Sequence, residues 1–184
     1  TKTEGDSTST DVADLNTQAS ELLTLWYQAA GQLAYGLSDT AKINKILQDP
    51  AVKASFPRGT KFLWAVKPMN DREGKTILNE KGSAVLVLYV IKGTTGNKPL
   101  LGGDVIVDAR QGVDERGNFD VSMTMNVTGG KKWFKITEEN VNKRVGIILD
   151  DYVYSAPNIN EPINGGRSSI SGSFTIEEAK DLAN

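Results

Sequence analysis

The chain contains no histidine and no cysteine. The first absence removes Ser-His-Asp and Cys-His catalytic arrangements, the usual general base at neutral pH and the commonest transition-metal ligand. The second removes disulfides, zinc knuckles and thiol nucleophiles. No Ser-x-x-Lys occurs either, so the His-free serine hydrolase motif is missing. Long apolar runs are also lacking: the longest, Ala84 to Ile91, falls far short of the roughly 20 residues that span a bilayer. Excess charge of one sign is absent, with 21 Lys and Arg against 23 Asp and Glu, which leaves no basic field for nucleic acid. What is present is an ordinary globular balance, 39% hydrophobic and 24% charged over 184 residues, enough to bury a core. Composition therefore argues against an enzyme.

The chain opens on Thr1-Lys2-Thr3, without a signal peptide, and closes on Thr175-Ile-Glu-Glu-Ala-Lys-Asp-Leu-Ala-Asn, which reads as a helix cut in mid-course behind a Thr175/Glu178 capping box. The expectation is a piece of a longer protein. Residues 1–10 are small and polar and read as a leader. The stripe Val12, Leu15, Ala19, Leu22, Trp26, Ala29, Leu33 advances in threes and fours, predicting a helix over 11–35 with Asp11 and Asp14 in its first turn. Its heptad-like repeat leaves two uses open, docking on the parent protein or self-association. Residues 4–41 hold six acids and no base, so the charge pairs that flank a coiled-coil seam are missing. A second helix is expected from Asp39 to Gln48, with Ile43, Ile46 and Leu47 inward and Pro50 closing it.

From Phe56 the texture turns to strand. Lys61–Lys67 and Ser83–Lys92 are rich in β-branched and aromatic residues, the second apolar enough to be covered on both faces. Asp104–Ala109 and the alternating run Phe119 to Val127 read as strands around a turn at Asp114–Asn118. A helix starting at Thr128 or Gly129 runs through Trp133, Phe134, Ile136 and Val141. Val145–Leu149, a turn at Asp150-Asp151, Tyr152–Ser155 and Ser168–Phe174 complete the pattern. Hairpin connections dominate, so the fold class is α+β: a mostly antiparallel sheet with helices packed on it, preceded by an N-terminal helical segment. The domain expectation is a polar leader and helical segment over 1–55, then an α+β region over 56–184.

Motifs for chemistry fail one by one. Gly74-Lys75-Thr76 lacks the upstream glycine of a phosphate loop, since position 69 is Met. Gly165-Gly166 with Gly172 precedes a strand, not a helix N-terminus, so these glycines serve positive φ or a close backbone approach instead. Asp104, Asp108, Asp114 and Asp120 fit no calcium loop. Asp150-Asp151 is read as a turn rather than an acid/base couple. Asn126-Val-Thr128 matches a glycosylation acceptor with nothing else in its favour. Tyr152 and Tyr154 share one face of a short strand, which is either core or a binding platform.

The order of residues in the last third is more specific. Gly146-Ile-Ile-Leu-Asp150-Asp-Tyr-Val-Tyr-Ser-Ala156-Pro157-Asn-Ile159, then Ile163-Asn-Gly165-Gly166, then Ile170-Ser-Gly172-Ser-Phe174 with Glu178-Ala179, closely resembles the first periplasmic domain of the SecD/SecDF protein-export family. Leu100-Leu-Gly102 with Asp108-Ala109, and Val121–Asn126 through Phe134, Thr137 and Asn140-Val141, extend the resemblance over residues 99–184. Departures fall at turns: Leu101 for the family's Thr, Asn142 for Gly, and Asp151 for Gly. Residues 1–98 match less clearly, and the long helix reads as a lineage-specific insertion.

The resemblance implies the head region of that domain. It would be a non-catalytic part of a multi-spanning membrane protein, on the periplasmic side of the bacterial inner membrane, without cofactor or metal. The family is thought to use the proton motive force to draw preproteins out of the SecYEG channel, and the head to hold the emerging unfolded chain. Implied partners are that preprotein and, through the full-length protein, SecYEG and SecF; neither nucleic acid nor direct membrane contact by this segment is implied. Candidate contact residues are Tyr152, Tyr154, Asn158, Ile159, Gly165 and Gly166, with mobility or contact expected in the loop Ala156–Asn164. Two other readings stay open: a small-ligand, peptide-binding or hydrolytic periplasmic module unrelated to export, and a scaffold that dimerises through helix 11–35.

Overall fold

The structure, a computed structural model, describes residues 7–28, 31–92, 94, 96, 98–113 and 119–171. The chain divides into two compact units, Thr1–Gly93 and Thr94–Asn184, so the boundary expected after residue 55 runs through the interior of the first.

In the first unit, helix α1 spans Ser7–Leu25, beginning before the expected start and stopping ten residues short of the expected end. Asp11 and Asp14 thus lie beyond its first turn. The chain leaves the helix at Trp26, which bridges to Tyr35, and returns as strand β1, Ala34–Gly36. Sheet pairing outcompeted helical periodicity here. Ala34, Tyr35 and Gly36 find ladder partners in Val87, Leu86 and Val85 of β3 (Val85–Ile91), and Gly31 supplies the positive φ that a reversal requires. The Trp26 indole donates to the Gln32 carbonyl at 2.9 Å, closing the connection.

A short 3-10 turn over Leu37–Asp39 leads into α2, Thr40–Gln48, which buries Ile43, Ile46 and Leu47 as its spacing requires. Pro50 does not end the path. It opens a further short helix, α3 (Pro50–Ala54), because proline suits the first helical position, where no backbone donor is needed. Asp49 caps α3, accepting from the Ala51 and Val52 N–H groups at 2.8 and 3.4 Å, while Gln18 of α1 donates to its other oxygen at 3.3 Å.

Strand β2, Lys61–Pro68, pairs antiparallel with β3 on the side opposite β1. β3 is therefore central to this sheet, and its first four residues are all buried, as an unbroken apolar run predicts. Tyr35, Ile43, Ile46, Leu47, Val52 and Leu88 form the core, with Leu15, Leu22, Leu25, Trp26, Phe62 and Trp64 packed around it. The apolar side of α1 thus docks on the core of its own unit. Edge-to-face contacts of Tyr35 with Trp64 and of Phe56 with Phe62 add to the packing.

The Asp49 carboxyl is held below its ordinary range, chiefly by the Ala51 N–H, then by the Gln18 amide and more weakly by Val52, against a small opposing effect of burial. A carboxyl whose pKa is lower folded than unfolded stabilises above its unfolded pKa, and that contribution fades as pH falls through the folded value. Thermal melts of the wild type should therefore lose stability on acidification through the carboxylate range. Asp49→Asn, which keeps a capping oxygen without the charge, should flatten that part of the profile.

The second unit holds an antiparallel sheet in the order β4-β5-β8, with β4 at Ile106–Val113, β5 at Phe119–Met125 and β8 at Arg167–Ser171. A 3-10 turn occupies Gly103–Val105 where the strand was expected to begin. β5 alternates as its sequence predicts, with Val121 and Met125 buried and Ser122 exposed between them. Val121 faces Ile170 across the ladder, and both are almost fully buried.

Helix α4, Val127–Glu139, begins ahead of the expected Thr128 or Gly129 because the Asn126 side chain caps it, accepting from the Gly129 N–H at 2.8 Å. It also ends before Val141, which lies beyond the helix and bridges in parallel to Ile159. The expected turn at Asp114–Asn118 and the final helix lie outside the described residues.

Candidate functional site

The last candidate elements are built around one hairpin. β6 (Ile147–Leu149) and β7 (Tyr152–Ser155) pair antiparallel across Asp150-Asp151. Both aspartates have positive φ, 47° and 62°, the geometry of a two-residue turn whose twist matches its strands. Acidic side chains tolerate that region better than most. The expected Val145–Leu149 strand is shorter than its apolar content suggested and less buried. Ile148 and Leu149 are 37% and 36% exposed, and Tyr152 is 50% exposed. Leu149 and Tyr152 are direct cross-strand partners, so they form a small apolar surface beside an acidic tip. Val153, by contrast, is buried.

Beyond β7 the chain follows the C-terminal end of α4, and its backbone is tied down at several points. Val145 N–H donates to the Pro157 carbonyl at 3.1 Å, Ile159 N–H to Lys143 at 3.0 Å, and Asn142 N–H to Ile159 at 2.7 Å. Further along, Ile163 N–H donates to the Thr137 hydroxyl at 2.9 Å. Thr137 is fully buried in α4. Its hydroxyl donates in turn toward the carbonyls of Trp133 and Phe134, both at 2.9 Å. The segment ends where Met125 N–H donates to the Gly166 carbonyl at 2.7 Å. The loop Ala156–Asn164, where mobility or contact was expected, is a strap fastened at Pro157, Ile159 and Ile163.

The two glycines at its end explain themselves by proximity. Gly165 and Gly166 both have positive φ, and Gly166 lies directly under Gly130 in the first turns of α4. A Cβ on Gly130 would stand 2.9 Å from the Gly166 Cα, and one on Gly129 would stand 2.7 Å from the Val105 Cβ. Neither Gly129 nor Gly130 was singled out for packing from sequence. The available signal was two adjacent glycines inside an amphipathic helix, where each costs about 0.5–1 kcal/mol relative to alanine unless a neighbour needs the space.

The six candidate residues thus separate. Ile159 and Gly166 are buried in packing, Tyr154 is half-buried, and Tyr152, Asn158 and Gly165 are exposed. The Asn158 amide is engaged with Asn160 at 3.0 Å. These residues line the hairpin and strap rather than converging on one pocket. The acidic residues of the sheet are also dispersed. Asp108 pairs with Arg110 at 3.0 Å, and Asp120 accepts from the Ser169 hydroxyl at 2.5 Å. Asp114 lies outside the described residues. Among the described residues no three acidic side chains gather in a metal-holding cluster, and no helix is long and apolar enough to cross a membrane.

Comparison with known proteins assigns the sequence to a family. Residues 79–184, more than half of the chain, match the family model described as SecDF, P1 head subdomain. The protein translocase subunit SecD of Rhodothermus marinus is 40% identical over 145 residues, covering 78% of this chain and 21% of that protein. SecD of Calditerrivibrio nitroreducens is 46% identical over 112 residues, 60% of this chain and 21% of the relative. SecDF of Thermus thermophilus is 40% identical over 94 residues, 51% of this chain and 13% of the relative. A solved SecDF structure, a membrane component that enhances protein export, aligns at 26% identity over 80% of this chain and 66% of its own, with a TM-score of 0.44. The Rhodothermus alignment takes in more residues than 99–184 contains, so similarity reaches into the N-terminal half. The chain spans about a fifth of the length of these SecD relatives. It belongs to the SecD/SecDF family of protein translocase subunits, and residues 79–184 are its P1 head subdomain.

Proposed function

We propose that this chain is the periplasmic head of a SecD or SecDF subunit, and that it transiently holds an unfolded preprotein emerging from the SecYEG channel during export driven by the proton motive force. The observation that carries the reading is the match of residues 79–184 to the P1 head subdomain. The proposed partners of the full-length protein are SecYEG and SecF, and its place is the periplasmic side of the inner membrane. The head acts without a cofactor, a metal or catalysis of its own.

The exposed surface of the β6–β7 hairpin is compatible with that task. Leu149, Tyr152 and Ile148 offer modest apolar area, enough for a grip without sequence preference and too little for a tight one. Ordering a disordered chain costs several kcal/mol, so the expected Kd is about micromolar or weaker. A stronger hold would oppose release. Within the candidate set the contact is assigned to Tyr152 and its neighbours rather than to buried Ile159 and Gly166.

The test is an amide NMR titration of the 184-residue chain with a permanently unfolded secretory polypeptide, using the folded form of the same polypeptide as control. Shifts clustered on residues 147–154 with the unfolded chain alone are the expected result, reduced by Tyr152→Ser. Absence of shifts at high polypeptide concentration, or equal shifts with the folded control, would overturn the holding role.

A further inference from the structure

We propose that Asn164 is a site of spontaneous deamidation, and that its conversion loosens the crossing between the strap and α4. Among the asparagines of this chain, Asn164 alone is followed by glycine. That matters because the attacking group is the main-chain nitrogen of the next residue, and only glycine leaves it without a flanking side chain. Three structural observations add to the motif. Asn164 and Gly165 are both exposed, so water reaches the bond. The Gly165 N–H donates to Asn164 Oδ1 at 2.8 Å, so the side-chain carbonyl is already turned toward the nitrogen that attacks it. Gly165 also has φ of 86°, and a Cβ built on it would meet nothing within 4 Å, so that side of the residue faces open space.

The chemistry balances without a catalyst. The Gly165 nitrogen loses its proton to base and attacks Cγ of Asn164. The side-chain nitrogen leaves as ammonia, and a five-membered succinimide closes. Water then opens the ring at either carbonyl, giving aspartate or isoaspartate. In the isoaspartyl product the main chain runs through the side-chain carbon and is longer by one methylene. Two residues on, the Gly166 carbonyl accepts from Met125 N–H at 2.7 Å, and the Gly166 Cα lies where Gly130 has no room for one added carbon. An extra methylene immediately before such a contact displaces it.

The experiment holds the intact 184-residue chain at mildly alkaline pH and body temperature for several days, with digestion and mass spectrometry at intervals. The peptide containing Asn164 is expected to gain the mass of an acid in place of an amide before any other asparagine peptide. Its rate should rise with pH, and it should become a substrate for isoaspartyl methylation. Asn164→Gln should abolish the product, and Gly165→Ala should slow it. The converted fraction should melt below the unconverted one. Retention of the amide at Asn164, or conversion of Asn158 or Asn160 as fast as Asn164, would overturn the site. Conversion with an unchanged melting temperature would overturn its coupling to the crossing.

Discussion

Gly130→Ala should destabilise the second unit by about 1–3 kcal/mol, the range for overpacking a closely fitted site. The direction is informative because the helix itself favours the change: alanine in a helix interior is worth roughly 0.5–1 kcal/mol over glycine. Two terms of opposite sign therefore compete, and the distances decide between them. The added Cβ would meet the Gly166 Cα at 2.9 Å and its nitrogen at 3.3 Å, and both are backbone atoms that cannot rotate away. Gly166 is itself held by the bond from Met125, so moving it costs a ladder-end hydrogen bond as well. Chemical denaturation reads the effect as a lower midpoint at unchanged slope. Faster hydrogen exchange at the Met125 amide would localise it. Gly103→Ala, where a Cβ meets nothing within 4 Å, is the control. A stabilised Gly130→Ala would mean that the crossing has slack and that helix propensity prevails.

The second large effect is expected at Thr137. Thr137→Val keeps the branched shape but deletes the hydroxyl that receives the Ile163 N–H, leaving a part-buried donor without its acceptor. Such a loss costs about 1–3 kcal/mol. The valine is also slightly better hydrated-out than threonine, which offsets only a fraction of that figure. Amide exchange at Ile163 should rise sharply, while the distant Val121–Ile170 ladder of the same unit stays protected. Thr137→Ser, which restores the acceptor at the cost of one methyl, should recover most of the exchange protection. If valine left Ile163 as protected as wild type, the strap would be held by its other bonds alone.

The comparison with sequence-level reasoning turns on range. Features set by near neighbours were readable: the buried triad Ile43, Ile46 and Leu47, the central strand at 85–91, the alternation through Val121 and Met125, and the two-residue turn at Asp150-Asp151. The misreadings arose where a distant partner prevailed. Residues 26–35 have a helical stripe, yet Ala34–Gly36 gain more by pairing with Val85–Val87, some fifty residues away, and nothing local announces that partner. Val141 fits the α4 stripe, yet the chain leaves the helix to bridge with Ile159. Pro50 signals a stop because proline ends helices, although the same residue with Asp49 before it is also a start signal.

The candidate site divides the same way. Exposure of Tyr152 follows from a hairpin tip, whereas Gly166 is covered by Gly130 of α4 and Ile159 pairs with the segment Val141–Lys143 that follows the helix. The family resemblance in 99–184 was visible because many short matches fall in a fixed order, a signal that no single motif in this chain supplies.

The central position of β3 bears on how the protein can be divided. The family match begins at Asn79, just ahead of β3, while β1 and β2, which flank that strand, both precede it. A fragment trimmed to the matched residues would carry Val-Leu-Val-Leu-Tyr-Val-Ile with its neighbours on both sides removed. Such a segment is uncharged, free of proline and rich in β-branched residues, and with two open edges it would pair with copies of itself. The residues ahead of Asn79 are in this sense a resident guard for an aggregation-prone strand, and the boundary that serves comparison between relatives is the wrong place to cut for solubility.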